Sequence, residues 1–458
     1  MIRFWKARVR RNKVRACVPI GAGDRSMFGL GGDGMQAGKT RTVIAAGAIG
    51  NVLEWYDFAI YGYFASSIGR AFFPKEDPVA QVLSAFGIFA VGFLMRPIGG
   101  ALVGYIGDKL GRRAALTFSV TAMAIPTFLV GVLPGHDVLG VLAPIALTLL
   151  RMLQGLSVGG EYTTSIVFMV EHAPPGRRGL IGAMGCCGAI GGILLGSATG
   201  ALLSNVLPAD AMQAWGWRIP FMLGLVVGLA GFFLRRHLDE GTVPQAAGHS
   251  PLRETVSKHG WLLARLAGLS VFNAVGFYLL FVYIVSWLEL ADGIAPAHAL
   301  EINSLSMLVL LPWMVAMGAL SDRLGRKPLL LTATALAVVS AVPLFWLMQS
   351  EHRLFIQLGQ IGFVLSVGMF LGTQPTLMVE EVPVAVRCTA IALGYNVTLG
   401  LVGGLSPLVA TWLVDRTEDQ LAPAFMIMAA SAVSFLSVLS FRERGRGPLE
   451  AAVSPASA

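Results

Sequence analysis

The sequence predicts an all-α integral membrane protein, with twelve transmembrane helices in two pseudo-symmetric six-helix bundles. Three observations carry this. Of the 458 residues, 55% are hydrophobic and only 13% are charged, against roughly 25% charged in soluble domains. Apolar runs of about 20 residues, long enough to cross a hydrocarbon core of about 30 Å, recur along the chain. A loop sequence that follows the second run returns after the eighth. The 55 glycines fit the same class, since Gly is more frequent in membrane helices than in soluble ones.

In chain order, residues 1–40 form a basic tail. Its start, "MIRFWKARVRRNKVRAC", holds no acid and no apolar core long enough for a signal peptide. It is expected to be disordered, and an upstream start, with Met27 or Met35 as the true initiator, accounts for it. Spans are read at 42–65, 80–105, 114–133, 139–163, 180–204 and 217–235, making an N-terminal bundle over 41–238. Short polar or proline-containing turns such as "PGHD" at 134–137 separate them. The longest break, 239–262, is read as a cytoplasmic linker. Spans at 263–288, 303–321, 328–348, 354–379, 389–413 and 424–441 make a C-terminal bundle over 263–442, and 443–458 is a second disordered tail.

The formal charge of +8 raises nucleic-acid binding as a reading, so the positions of the basic residues decide. With the N-terminus cytoplasmic, 27 of the 34 Lys and Arg fall on internal segments and five, Arg70, Lys75, Arg218, Arg353 and Arg416, on external ones. That asymmetry is the positive-inside pattern of a multi-pass plasma-membrane protein with both termini cytoplasmic, and nucleic acid is not needed. Four cysteines show no ligand or pairing spacing; adjacent Cys186 and Cys187 read as reduced packing residues. "GLSVG" at 155–159 fits a hydrolase elbow but lies in a membrane helix. "DGMQAGKT" at 33–40 lacks the first glycine of a phosphate loop and any preceding strand. No metal, cofactor or enzyme chemistry is expected.

Arg96 and Arg151 lie within spans, as do Glu54 and Asp57 of "GNVLEWYDFAIYG" at 50–62. At 100° per residue Asn51, Glu54, Asp57 and Tyr61 share an arc of about 120° on the first helix, opposite Val52, Leu53, Tyr56, Ile60 and Tyr63. Arg151, Gln154, Val158 and Glu161 form a stripe on the fourth. A lipid-facing charge at mid-depth costs several kcal/mol, so these stripes face each other or a polar cavity. Asp57 with Arg151 reads either as a structural pair or as a functional one. Arg96, about 18 Å from Asp108 along the helix, reads equally as an anion ligand or, with Pro97 beside it, as structural. The second half has no Lys or Arg deep in a span. Its candidate lining groups are Asn273, Tyr278, Tyr283, Gln374, Tyr395 and Asn396, each of which also suits an interhelical hydrogen bond. The glycines of helix five, from Gly182 to Gly200, read as close packing.

"GYIGDKLGRR" at 104–113 and "GALSDRLGRK" at 318–327 repeat each other, as do "EHAPPGRRG" at 171–179 and "EEVPVAVRC" at 380–388. The offsets of 214 and 209 residues mark a duplicated six-helix unit. These motifs resemble the major facilitator superfamily over about 41–442. "GFLMRPIGG", "RMLQGLSVGGEY", "WGWRIPF" and "GYNVTLGLVGGLSPLVATWLV" resemble its metabolite–proton symporter branch, whose members carry citrate, 2-oxoglutarate, shikimate, or proline and betaine. "CGAIGG" at 187–192 lacks the proline of the drug antiporters.

The resemblance implies an alternating-access importer that binds a small-molecule substrate and protons and acts as a monomer in the bilayer. Asp57 becomes a proton acceptor partnered by Arg151, with Glu54 a second proton or pairing site. The substrate ligands become Arg96, Arg151, Tyr61, Gln154, Asn273, Tyr278, Gln374 and Asn396. Gating falls to Gly104, Asp108, Arg112, Gly318, Asp322 and Arg326, with Glu171 partnering Arg178 and Glu380 partnering Arg387. The substrate is expected to be an organic acid, taken up electroneutrally with its protons. The alternative is a zwitterion such as proline or betaine, and a transporter-like sensor is a third reading.

Overall fold

The computed structural model describes residues 51–235 and 251–442, except 53, 75–76, 100–101, 103–105, 107–111, 158–160, 172, 175 and 351. The basic N-terminal tail with Met27 and Met35, the tail 443–458, and Gly104 and Asp108 of the first loop motif lie outside the described residues.

Among the described residues there are helices and no strand. Twelve apolar stretches follow one another. The first half holds α1 (51–72), α2 (Pro78–Gly99), α3 (Arg112–Val132), α4 (Leu142–Ser157 and Glu161–Glu171), α5 (Arg178–Val206) and α6 (Ile219–Arg235). The second holds α7 (Gly260–Leu290), α8 (Pro296–Leu324), α9 (Arg326–Met348), α10 (Arg353–Glu381), α11 (Arg387–Thr417) and α12 (Ala422–Ser440). The expected first span ended at 65, but α1 runs to Phe72, with Ser66, Ile68, Gly69 and Phe72 buried and Arg70 the one charged residue of the extension, in its last turn. A short helix, Pro251–Lys258, lies within the stretch read as linker.

Local chemistry sets the ends. Asp77 caps α2 by accepting from the Val79 N–H at 2.9 Å, with Pro78 in the first turn, where its missing N–H costs nothing. Between α8 and α9 the chain turns at Gly325, φ +101°, a conformation open to glycine and strained for other residues. This is the second glycine of the "GALSDRLGRK" motif.

Outer helices present Ile125, Val226, Val339, Trp346 and Leu436 outward, the apolar surface that lipid solvates. Inner helices join the halves: α5 runs along α8 and α10, α2 along α11, and α4 meets α11. The glycines of α5 permit this approach, as expected. A Cβ on Gly179 would strike the Gly318 carbonyl, and one on Gly192 the Val52 carbonyl. From Glu54 to Ser66, α1 is buried. Tyr56, opposite the charged stripe, donates to the Pro220 carbonyl at 2.9 Å. Both α7 and α11 contain a π-helical turn, Leu279–Tyr283 and Leu399–Gly403, a widening common at functional sites. The α11 turn lets Gly403 lie against the Tyr278 ring.

Candidate transport site

The charged stripes of α1 and α4 meet. Asp57 and Arg151 are buried, with Arg151 Nη1 3.2 Å from Asp57 Oδ2. The other carboxylate oxygen accepts from Thr127 of α3 and, at 2.9 Å, from Gln154 Nε2. Gln154 also accepts from Arg151 at 2.7 Å and donates to Thr127 Oγ1 at 2.8 Å. Tyr61 lies under the Arg151 guanidinium, 3.8 Å from carbon to ring centroid, and its hydroxyl donates to the Ala85 carbonyl. Thus Tyr61 and Gln154, expected as substrate ligands, hold the Asp57–Arg151 pair in position.

A second pair lies one helical turn away. Arg96 of α2 donates to Glu54 at 3.1 Å, both buried. The Arg96 guanidinium sits among aromatic faces, 4.5 Å from the Phe93 centroid, 4.8 Å from Phe58 and 5.6 Å from Trp55. Trp55 in turn stacks near-parallel on Tyr278 of α7 and meets Phe277 and Tyr162 edge-on. The second half therefore walls this pair. Two buried donors, Trp55 Nε1 and Arg96 Nε, have no hydrogen-bond partner among the described residues. Unpaired buried donors cost free energy, and they mark where a ligand's acceptors would be stabilised.

Three of the uncharged groups of the second half, Asn273, Gln374 and Tyr395, form one chain. Asn273 donates to Gln374 at 3.0 Å and to the Tyr395 hydroxyl at 3.3 Å, and Gln374 donates to Ser270. Tyr395 stacks on Tyr162 across the two halves, with centroids 5.4 Å apart. Asn396 is half-buried beside Tyr395, and Tyr283 packs against Phe86. Sequence reading missed Thr127, Trp55, Phe58 and Phe93. Thr127 is a lone hydroxyl in "AIPTFLVG", and the aromatics look like any apolar residue until their rings are seen around a cation.

On the face bearing the duplicated motifs, the charged pairing differs from the one expected. Glu171 pairs with Arg387, not Arg178, and Glu380 pairs with Arg178 at 3.7 Å, not Arg387. Each pair spans the halves, because α4–α5 and α10–α11 face each other around the pseudo-two-fold axis. Arg326 adds to Glu380 at 3.3 Å and to Asp322 at 2.8 Å. Asp322 accepts from the backbone N–H groups of Gly179 and Leu180 at 2.8 and 3.1 Å, so it caps the positive end of α5 from the opposite half. Gly318 lies where a Cβ would be 2.6 Å from the Gly179 carbonyl. Arg112 opens α3. On the far face, Arg70 meets Glu289 at 3.5 Å and Asn205 meets Glu301 at 2.6 Å. These contacts join the two halves at both faces among the described residues.

Two buried arginine–carboxylate pairs, Asp57–Arg151 within the first half and Glu54–Arg96 walled by Trp55 and, from across the halves, Tyr278, suit movement of a charged solute and a proton. A family model described as sugar (and other) transporter matches residues 43–242. The glycine betaine/proline/ectoine/pipecolic acid transporter OusA of Dickeya dadantii is 35% identical over 435 residues, covering 92% of this chain and 87% of its own length. The proline/betaine transporter of Salmonella typhimurium is 33% identical over 466 residues, covering 98% and 91%. The chain belongs to the metabolite–proton symporter branch of the major facilitator superfamily. It is a multi-pass membrane transporter and not an enzyme. Its fold matches that of the xylose transporter XylE from E. coli, with a TM-score of 0.71 at 18% identity over 89% of this chain and 98% of that one.

Proposed function

We propose that this transporter imports a small zwitterion of the proline or betaine class together with a proton, by alternating access, with both termini cytoplasmic. The observation that carries this is the Glu54–Arg96 pair enclosed by Trp55, Phe58, Phe93 and Tyr278. A zwitterion can replace one internal ion pair by two external ones, its carboxylate on Arg96 and its ammonium on Glu54. Aromatic faces stabilise a quaternary ammonium that cannot donate hydrogen bonds. Among the described side chains the four central charges, Glu54, Asp57, Arg96 and Arg151, sum to zero, and a zwitterion leaves that balance intact. A di- or tricarboxylate would bring uncompensated negative charge into a buried site, which is costly. This argument and the named substrates of the relatives place the zwitterion ahead of the organic acid favoured by sequence reading.

Asp57 is the proton carrier in this scheme. It is the buried carboxylate whose partner, Arg151, also lies within reach of Gln154. Protonation of Asp57 loosens Arg151, and return to the inside releases the proton. Glu171–Arg387, Arg178–Glu380–Arg326 and Asp322 form the cytoplasmic latch, and the first motif, with Gly104, Asp108 and Arg112, takes the corresponding role by duplication.

One proton with a neutral zwitterion carries net charge +1, whereas an acid entering with its protons carries none. Moving one charge across 100 mV is worth about 2.3 kcal/mol, roughly 50-fold accumulation. In proteoliposomes, glycine betaine uptake should therefore rise with an inside-negative potassium–valinomycin potential and, separately, with an imposed inward proton gradient. Uptake of citrate or 2-oxoglutarate driven by the proton gradient, without a betaine response, would restore the organic-acid reading.

A further inference from the structure

The Thr127 hydroxyl has two acceptors and one hydrogen. Its oxygen lies within hydrogen-bond reach of Asp57 Oδ1, and it lies 2.8 Å from the carbonyl of Met123, one turn earlier on its own helix. Its lone pairs already receive Gln154 Nε2 at 2.8 Å. A threonine hydroxyl donates once and accepts twice, so it cannot serve both acceptors at the same time. All four side chains at this point, Asp57, Thr127, Arg151 and Gln154, are buried, and no other group needs to move for the hydroxyl to turn.

We propose that Thr127 is the positioning residue of the proton site, a hydrogen-bond reversible partner that satisfies Asp57 in both protonation states. With Asp57 ionised, Thr127 donates to Oδ1. When Oδ1 takes a proton, the new O–H donates to Thr127 Oγ1, and the Thr127 hydrogen turns to the Met123 carbonyl. One proton is gained by the carboxylate, one hydrogen reorients, and no other bond forms or breaks. The heavy atoms of Asp57 and Thr127 stay in place while Arg151 loosens, so loading and unloading need no rearrangement of α1 against α3. This rests on Asp57 being the proton carrier.

The groups that face Asp57 bound the effect. Arg151 of α4 is its counter-ion, and the phenols of Tyr56 and Tyr61 lie on its own helix. Arg96 of α2 is held on Glu54. The described side chains of α3 and α6 include no ionisable group. Thr127 is thus the contact by which α3 acts on the carboxylate.

Thr127→Val keeps the shape and removes both roles of the hydroxyl. The ionised carboxylate loses a charge-assisted bond, the larger loss, so the proton is held more tightly. In proteoliposomes, the alkaline limb of betaine uptake should move up by about one pH unit. Net proton-driven uptake should fall about tenfold relative to counterflow, because exchange does not require the proton to leave. Thr127→Ser should restore both values, and Thr127→Ala, which adds no bulk, should match Val. An unchanged alkaline limb and net-to-counterflow ratio in Val and Ala overturns the proposal, as does loss of counterflow in both, which would make Thr127 a packing residue. Asp57→Asn runs alongside: if it retains uphill uptake, the proton-carrier reading fails and takes this one with it. If it loses uphill uptake while Val and Ala behave as wild type, only the role of Thr127 fails.

Discussion

Arg96 is the residue where sequence reading was evenly divided, and the geometry shows why. Gly99, three residues on, lies against the Leu156 backbone of α4 at a tight helix crossing, while the Arg96 guanidinium reaches Glu54 and three aromatic faces. Both readings describe the same side chain. An arginine offers a planar fork that can hold Glu54 and a substrate carboxylate together, and it stacks on rings as an ammonium does not. Arg96→Lys keeps the charge and loses the fork and the stacking. The half-saturation concentration for betaine should rise about ten- to a hundredfold, on the order of 1.4–2.8 kcal/mol. The pH dependence of uptake should stay as in wild type, because Asp57 has its own arginine. Transport assays across pH would separate these, and a shifted pH profile with unchanged half-saturation would assign Arg96 to the proton instead.

At the scale of helices, the periodicity of charge was legible. The Asp57–Arg151 meeting follows from two stripes that had to avoid lipid, and the α5 glycines follow from their spacing. The pairing at the helix ends was not legible, because the motif Glu-x-x-Pro-x-x-x-Arg places its Glu and Arg near each other in each half. Only the facing of α4–α5 with α10–α11 shows that each Glu prefers the other half's Arg. The same facing makes Gly318 a contact point. Its Cα side meets Gly179 and Ala183 of α5, so a larger residue must hold the helices apart. Overpacking of this kind costs about 1–3 kcal/mol, comparable to the few kcal/mol that separate transporter states. Gly318→Val should therefore favour the form open at the motif face and slow net uptake at least about tenfold. Cys186, buried between the halves near the Leu371 carbonyl, is the reporter. In a background lacking Cys17, Cys187 and Cys388, it should react with a permeant maleimide faster in Gly318→Val than in wild type. Equal labelling rates with normal uptake would show that this face closes without a tight α5–α8 contact.

For the whole molecule, the two ends are held unequally. The motif face joins the halves through Glu171–Arg387, Arg178–Glu380–Arg326 and the Asp322 cap on α5, with Arg387 and Asp322 largely withdrawn from solvent. The far face is joined by Arg70–Glu289, with the Arg70 side chain 42% exposed, and by an exposed Asn205–Glu301 bond. Exposed pairs contribute about 0–1 kcal/mol, while a withdrawn, hydrogen-bonded pair across an interface contributes more. The charged contacts of the far face are therefore the weaker set, although buried Ser197 also hydrogen-bonds the Leu300 carbonyl, Asn303 and Ser304 across the halves. With the far face outside, as proposed, this suits a carrier that collects its substrate there. Unequal latches also mean that one charge can shift the balance. Glu171→Arg places two cations together at Arg387 and should depress uptake about tenfold or more, while raising Cys186 labelling as the motif face opens. Arg387→Glu alone should do the same by opposing Glu171. Combining the two exchanges restores an ion pair of opposite sense across the halves, so uptake should recover to within about threefold of wild type, and labelling should fall again. A double variant no better than the worse single one would mean that these residues act separately, and that the latch resides in Asp322 and Arg326 instead.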